Sequence, residues 1–115
     1  MNKSYMHGTA KAYFSAWNSR NLDALASTMA DDVTLRDWDI EVTGNTSVVG
    51  ATANIWRDVP TIHIAIMHIS IDEMQNHAYC MLSITNDDNT LNLRVLDVLH
   101  FTTEGKILLI DAFKQ

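Results

Sequence analysis

The chain has 115 residues, enough for one domain and too few for two, and 47% of them are apolar against 19% charged, as in an ordinary globular protein. Eight Lys and Arg stand against 14 Asp and Glu, and the resulting net charge of -6 disfavours nucleic acid and anionic membrane surfaces as partners. We therefore expect one domain over residues 1–115 that binds neither nucleic acid nor membrane.

The first half of the chain predicts three helices and a short pair of strands. Apolar residues at helical spacing predict a helix over 5–19, and Asn21 is a suitable N-cap for a short second helix. Alternation then predicts a strand over 33–38 with a hairpin partner over 40–43. A third helix follows, capped by Asn45 or Thr46, and ends before Pro60, because the residue before proline leaves the helical region.

The second half predicts four strands, over 61–71, 77–85, 91–102 and 106–114, joined by short polar turns. Parallel neighbours would need long crossovers, so these strands form an antiparallel meander. The expected fold class is α+β, with three N-terminal helices packed on a strongly curved, mainly antiparallel sheet. Such a sheet, covered by helices, forms a cone whose interior is the natural place for a pocket.

Two aspartates and a tyrosine are the candidate catalytic residues. Asp97 is the single polar residue on the more apolar face of its strand, where a carboxylate must be hydrogen-bonded, paired or protonated. Asp37 ends the apolar face of the first strand, and Tyr13 lies on the inner face of the first helix. These three groups suit general acid–base chemistry. An aspartate at a strand end also commonly serves as a turn or cap residue, so that alternative stays open for Asp37.

Several further side chains are expected to line the pocket, although each also suits the core. The tryptophan of the first helix could line a pocket for a flat ligand or pack in the core. A histidine on the first meander strand could act as a base or as a structural hydrogen-bond donor. Methionine is adaptable filler in either setting. The predicted lining residues are Trp17, Met29, His63, Met67, Met81, Leu99 and Phe101.

The outer face of the predicted sheet is too apolar to remain exposed to solvent in a monomer. It is expected to carry Ile62, Ile64, Ile66, Leu96 and Val98. We therefore predict a twofold homodimer that forms through this face.

Metal and cofactor sites are not predicted. The single cysteine, Cys80, has no internal disulfide partner, and the five histidines show no zinc-site spacing. The first residues lack the apolar run of a signal peptide, so a cytoplasmic location is expected.

Two stretches of the chain resemble a known family. Residues 13–37, with YFSAWN, NLDAL and MADDVTLRD, resemble the opening of the SnoaL-like and ketosteroid isomerase-like branch of the nuclear transport factor two superfamily. Residues 97–113, with DVLHF, EGKI and DAF, are similar to the last hairpin of that family. The resemblance implies a cystatin-like α+β barrel. The family includes isomerases, cyclases, dehydratases, epoxide hydrolases and binding modules without catalytic activity.

The resemblance also implies roles for individual residues. In the steroid isomerases a helix tyrosine and a protonated aspartate donate hydrogen bonds to an oxyanion, while a second aspartate moves the proton. Tyr13 matches the tyrosine and Asp37 the proton-moving aspartate. Leu99 stands where the isomerases carry the protonated acid, and Asp97 lies two residues away on the same face.

Two functions follow from these expectations. The first is a cofactor-independent isomerase, cyclase or dehydratase that acts on a small apolar or cyclic molecule through Tyr13, Asp37 and Asp97. The second is a non-catalytic ligand-binding or dimeric assembly module of the same fold, which the leucine at position 99 favours.

Overall fold

The structure, a computed structural model, describes residues 2–115. In this part of the chain the helices are α1 (Lys3–Ser19), α2 (Leu22–Ser27) and α3 (Asn45–Asp58). The strands are β1 (Met29–Arg36), β2 (Glu41–Thr43), β3 (His63–Asp72), β4 (His77–Thr85), β5 (Asn92–Phe101) and β6 (Ile107–Lys114). The elements follow the predicted order, although β1 begins four residues earlier than the alternation suggests.

The six strands form one sheet in the order β2-β1-β6-β5-β4-β3. The last four strands make the predicted antiparallel meander, and β1 joins it through a parallel pairing with β6. Register shifts within β3 and at the β5–β6 pairing mark bulges, which bend strands. The predicted fold class, α+β with three helices on a curved and mainly antiparallel sheet, is confirmed.

The bulge in β3 decides which of its side chains face the helices. Ile64 pairs with Ile84 and Ile66 with Leu82, but the pairing then skips Met67 and resumes at His68. Because one residue is inserted, the even-numbered residues before Met67 and the odd-numbered residues after it lie on the same face of the sheet. The prediction that Ile62, Ile64 and Ile66 lie on the outer face is therefore wrong. Ile62 and Ile64 are buried on the inner side of the sheet.

The start of α3 differs from the prediction. Neither Asn45 nor Thr46 caps the helix; the N-cap is Gly44, at a φ of 103° that favours glycine. The amide of Asn45 instead donates to the carbonyl oxygens of Ala26 and Met29. The asparagine thereby ties the start of α3 to the end of α2 and the start of β1.

The end of α1 holds the first residues of β3 in place. The side chain of Asn18 donates to the carbonyl oxygen of Ile64 at 2.8 Å and accepts from its N–H at 2.9 Å. Arg20 donates to the carbonyl oxygens of Pro60 and Ile62 at 3.0 and 2.8 Å. These four bonds satisfy backbone groups at the edge of the sheet and fix the position of two inward-facing isoleucines.

Within residues 2–115, no helix is both long and apolar enough to cross a bilayer.

Candidate active site

A cavity of about 460 Å³ lies between the inner face of the sheet and the helices α1 and α3. Its volume is within the usual range for small-molecule sites. Most of its wall is apolar and comes from Trp17, Leu35, Ile55, Val59, Ile62, Ile64, Ile84, Leu91, Leu93, Val95, Ile110 and Ala112. Its polar side chains are those of Tyr13, Asp37, Asp39, Thr52, Asp97 and Lys114, together with Trp38.

Tyr13 and Asp97 are the buried ionisable groups of this wall. Tyr13, on α1, is 4% exposed, and Asp97, in the middle of β5, is 7% exposed. Asp97 lies between Cys80 of β4 and Ala112 of β6 in the sheet register, so it is in an interior strand. Neither the Tyr13 hydroxyl nor the Asp97 carboxyl hydrogen-bonds to another group of residues 2–115. Both groups are therefore available to a ligand in the cavity.

Burial favours the protonated form of both groups. It raises the pKa of Asp97 to about 7, and the negative charge of Asp37 adds to the shift. It also raises the pKa of the Tyr13 hydroxyl, with smaller contributions from Asp97 and Cys80. Up to about pH 7 the cavity therefore presents two neutral O–H donors.

Asp37 lies directly after β1, in the turn that leads to β2. Its Oδ1 accepts from the backbone N–H of Asp39 at 2.8 Å and of Ile40 at 2.9 Å. No hydrogen bond from residues 2–115 reaches the other oxygen, Oδ2, and the residue lines the cavity. One oxygen therefore closes the turn, as the structural alternative in the sequence predicts, while the other can accept a proton from a ligand.

Two tryptophans occupy different places around the cavity. Trp17 lines the wall and packs edge-to-face on Trp56, with ring centroids 5.8 Å apart. Trp38 is partly exposed in the β1–β2 turn and also lines the cavity. The ammonium of Lys114 lies 5.3 Å from the Trp38 ring centroid, within range of a cation–π interaction.

The structure separates the other predicted lining residues from the cavity. Met29, Leu99 and Phe101 are buried in the core and do not reach the cavity wall. His63, Met67 and Met81 are exposed residues of β3 and β4 outside the cavity. The expectation that these six line the pocket is wrong. For β3 the reason is the bulge at Met67, and for Met81 it is strand alternation, since Met81 lies between Cys80 and Leu82, which are both buried.

Some lining residues were not singled out from the sequence, although a signal for several of them exists. Leu91, Leu93 and Val95 alternate in phase with Asp97 and so share its face. Lys114 alternates in phase with Ile110 and Ala112, which places it on the inner face of β6. Helical spacing places Thr52 on the same side of α3 as Val48 and Ile55, and its hydroxyl donates to the carbonyl oxygen of Val48 at 2.9 Å. Within residues 2–115, no cluster of three or more His, Cys, Asp or Glu is placed to hold a metal ion.

The chain belongs to the SnoaL-like domain family, whose family model matches residues 10–110. The predicted resemblance is thus confirmed. A search of functionally curated proteins gives no significant match.

Solved structures share the fold at low sequence identity. A protein of unknown function with a cystatin-like fold from Methylobium petroleophilum is 13% identical with a TM-score of 0.89, over 99% of this chain and 78% of the other. A SnoaL-like protein of unknown function from Burkholderia thailandensis is 16% identical with a TM-score of 0.86, over 100% and 98%. A candidate ketosteroid isomerase from Kribbella flavida is 17% identical with a TM-score of 0.82, over 97% and 78%. At these identities the likeness establishes the fold alone.

Proposed function

We propose that the chain, as a single SnoaL-like domain over residues 1–115, is a cofactor-independent acid–base enzyme, an isomerase or lyase for a small apolar or cyclic carbonyl compound. The observation that carries the proposal is the pair of unpartnered groups, the Tyr13 hydroxyl and the Asp97 carboxyl, in the apolar cavity that Asp37 also lines. Tyr13 and Asp97 line the cavity, and their polar atoms have no hydrogen-bond partner among residues 2–115, so a ligand there can complete the network.

Each of the three groups has a defined role in proton abstraction. Asp37 removes a proton from the carbon next to the substrate carbonyl, and the electron pair moves onto the carbonyl oxygen. The Tyr13 hydroxyl and the protonated Asp97 donate hydrogen bonds to the oxyanion that forms. Returning the proton from Asp37 to another carbon completes an isomerisation. Each donor in such a site typically contributes about 10²–10³ in rate.

Replacing Tyr13 by Phe tests this arrangement without removing the ring from the core. We expect the exchange of α-hydrogens of 2-tetralone in D₂O, followed by NMR, to slow by about 10²–10³ relative to wild type. The melting temperature should not fall, because the lost hydroxyl has no protein partner. Wild-type exchange should also decline above about pH 7, as Asp97 loses its proton.

The matched control for this variant is Tyr5→Phe, which changes an exposed tyrosine of the same helix. It should exchange hydrogens at the wild-type rate. Exchange by the wild-type protein no faster than in buffer, or equal rates for Tyr13→Phe and wild type, would refute the proposed catalysis.

A non-catalytic ligand-binding module is the second candidate function. It is favoured by the turn that Asp37 closes through Oδ1 and by the burial of Leu99 in the core, where the isomerases of the family carry an acid. In this case 2-tetralone binds in the cavity and quenches tryptophan fluorescence, but its α-hydrogens do not exchange faster than in buffer. The same titration and exchange experiment therefore separates the two functions.

The outer face of the sheet supports a homodimer in this proposal. Phe113 and Met81 on this face are 52% and 45% exposed, and Met67 is exposed beside them. Leu96 pairs with Met81 on one side and with Phe113 on the other, so these side chains form one apolar patch. A second copy that packs on this patch around a twofold axis removes it from water.

The mass in solution tests the dimer. Light scattering at micromolar concentration should give twice the chain mass of 12.9 kDa. Phe113→Asp should give the monomer mass, because a charge cannot be buried in the contact. The control is Met74→Asp, at a residue 95% exposed in the β3–β4 turn, which should remain dimeric. A wild-type monomer would contradict the proposed interface.

A further inference from the structure

Lys114 has an unusual position for a lysine. It is the last residue of β6 and shares the inner face of that strand with Ile110 and Ala112, which both line the cavity. The residue is exposed at the end of the strand, and its side chain also contributes to the cavity wall. It is the one cation among the residues that line this cavity in the described chain.

The ammonium of Lys114 has no anionic partner within residues 2–115. The ion pairs in this part of the chain join Arg36 to Glu41 and Asp111, and Arg57 to Asp58. Although Asp37 and Asp39 line the same cavity, neither lies within 4 Å of the Lys114 nitrogen. The ammonium instead lies over the Trp38 ring, which holds it at the mouth while its N–H donors remain available.

The sheet register sets the separation of Lys114 and Asp97 along the strands. Asp97 pairs with Ala112, and Lys114 pairs with Val95, two residues further along β5. Two residues of a strand span about 7 Å. The backbone of Lys114 is thus about the length of one or two fused rings from that of Asp97, and the side chains of both residues line the cavity.

We propose that the ligand of this cavity is an anionic ring compound, with a carboxylate that binds Lys114 and an oxygen at the opposite end that binds Tyr13 and Asp97. The proposal rests on the proposed function for the position of the oxygen but not for the position of the carboxylate. A cationic ligand is disfavoured, because it would place like charge against the ammonium. The acids at the mouth oppose an anion only weakly: Asp39 is exposed and screened by salt, and one oxygen of Asp37 is bound to two N–H groups.

Four naphthalene probes with one ring system separate these contributions. They are 6-hydroxy-2-naphthoate, 2-naphthol, 2-naphthoate and 6-(aminomethyl)-2-naphthol, each titrated by fluorescence against the full chain at physiological ionic strength. We expect the hydroxynaphthoate to bind about tenfold more tightly than 2-naphthol, the usual scale of one charge-assisted hydrogen bond. In Lys114→Gln this preference should fall to about one, with 2-naphthol affinity unchanged. Lys11→Gln, at an exposed lysine of α1, should bind all four probes as wild type does.

Several outcomes would overturn the anion site. These are equal wild-type affinities for the hydroxynaphthoate and 2-naphthol, a preference that survives in Lys114→Gln, tighter binding of the aminomethyl probe, and no saturable binding of 2-naphthoate up to about 1 mM. Failure of the proposed catalysis gives a different pattern. In that case the α-hydrogens of 2-tetralone exchange no faster than in buffer, while 2-naphthoate still loses affinity in Lys114→Gln.

Discussion

Replacing Asp97 by Asn is expected to raise the free energy of unfolding by about 2 to 4 kcal/mol at pH 8 and to change it little at pH 4. The pKa of Asp97 is raised to about 7 in the folded protein, whereas an unfolded aspartate titrates near 4. Between these values the unfolded chain binds fewer protons than the folded protein, so the folded protein loses stability as the pH rises from about 4 to 7. The side-chain amide in the Asp97→Asn variant cannot ionise, so the variant does not lose this stability as the pH rises.

Urea unfolding of wild type and Asp97→Asn at pH 4, 6 and 8 measures this effect. A useful control is Asp111→Asn, because the paired Arg36 guanidinium holds the pKa of Asp111 below its usual range. The Arg36–Asp111 pair stabilises the fold at pH values above the pKa of an unfolded aspartate, and this stabilisation is lost as the pH falls. Asp111→Asn should therefore be less stable than wild type at pH 8. A lower stability of Asp97→Asn at pH 8, or a difference independent of pH, would contradict the assignment of Asp97 as a buried carboxyl with a raised pKa.

Replacing Asp37 by Asn is expected to lower the rate of 2-tetralone hydrogen exchange by about 10³, within the usual range for a lost general base. The melting temperature should stay close to wild type, because the amide oxygen can accept from Asp39 and Ile40 as the carboxylate oxygen does. The change should also lower the pKa of Asp97, since the charge of Asp37 is one cause of its raised value.

Asp37→Ala provides the comparison for this variant. It loses the base and also both hydrogen bonds of the turn, so it should lose exchange activity to the same extent and unfold at a lower temperature. If Asp37→Asn keeps the wild-type exchange rate, Asp37 is a turn residue alone and the cavity serves binding.

Together the two aspartates show a conflict between stability and function. Above about pH 7 the buried Asp97 ionises at a cost in folding free energy that an uncharged asparagine or leucine does not incur, and no protein hydrogen bond offsets it. Such a cost is typical of residues whose role is in a site. The gain expected in Asp97→Asn and the loss expected in Asp37→Asn are thus two consequences of one arrangement.

Much of the fold was predictable because local patterns and the fold agree. The helical spacing of apolar residues before Arg20 and the four polar-bounded strands after Pro60 each specify their element with little help from tertiary contacts. The start of β1 at Met29 was missed, because it pairs with Ile107 at the far end of the chain. Local patterns carry no information on such a pairing.

The site was predictable in part, for a reason that lies in strand alternation. Asp97 stands out as the polar member of an apolar face, and the face of β5 continues without a bulge through the residues that line the cavity. In β3 the extra residue at Met67 reverses the alternation, and no turn or glycine in the sequence marks it. The inward position of Lys114 follows from alternation in β6, but a lysine at a strand end is ordinarily a surface residue.

The central claim is that Asp97 is a buried carboxyl of the cavity that keeps its proton well above the ordinary range for an aspartate, and a carbon-13 NMR titration of its side-chain carboxyl tests it most directly. A midpoint near pH 7 that moves lower in Asp37→Asn is the predicted result. A midpoint below about 4, the ordinary range for an aspartate, would contradict the account.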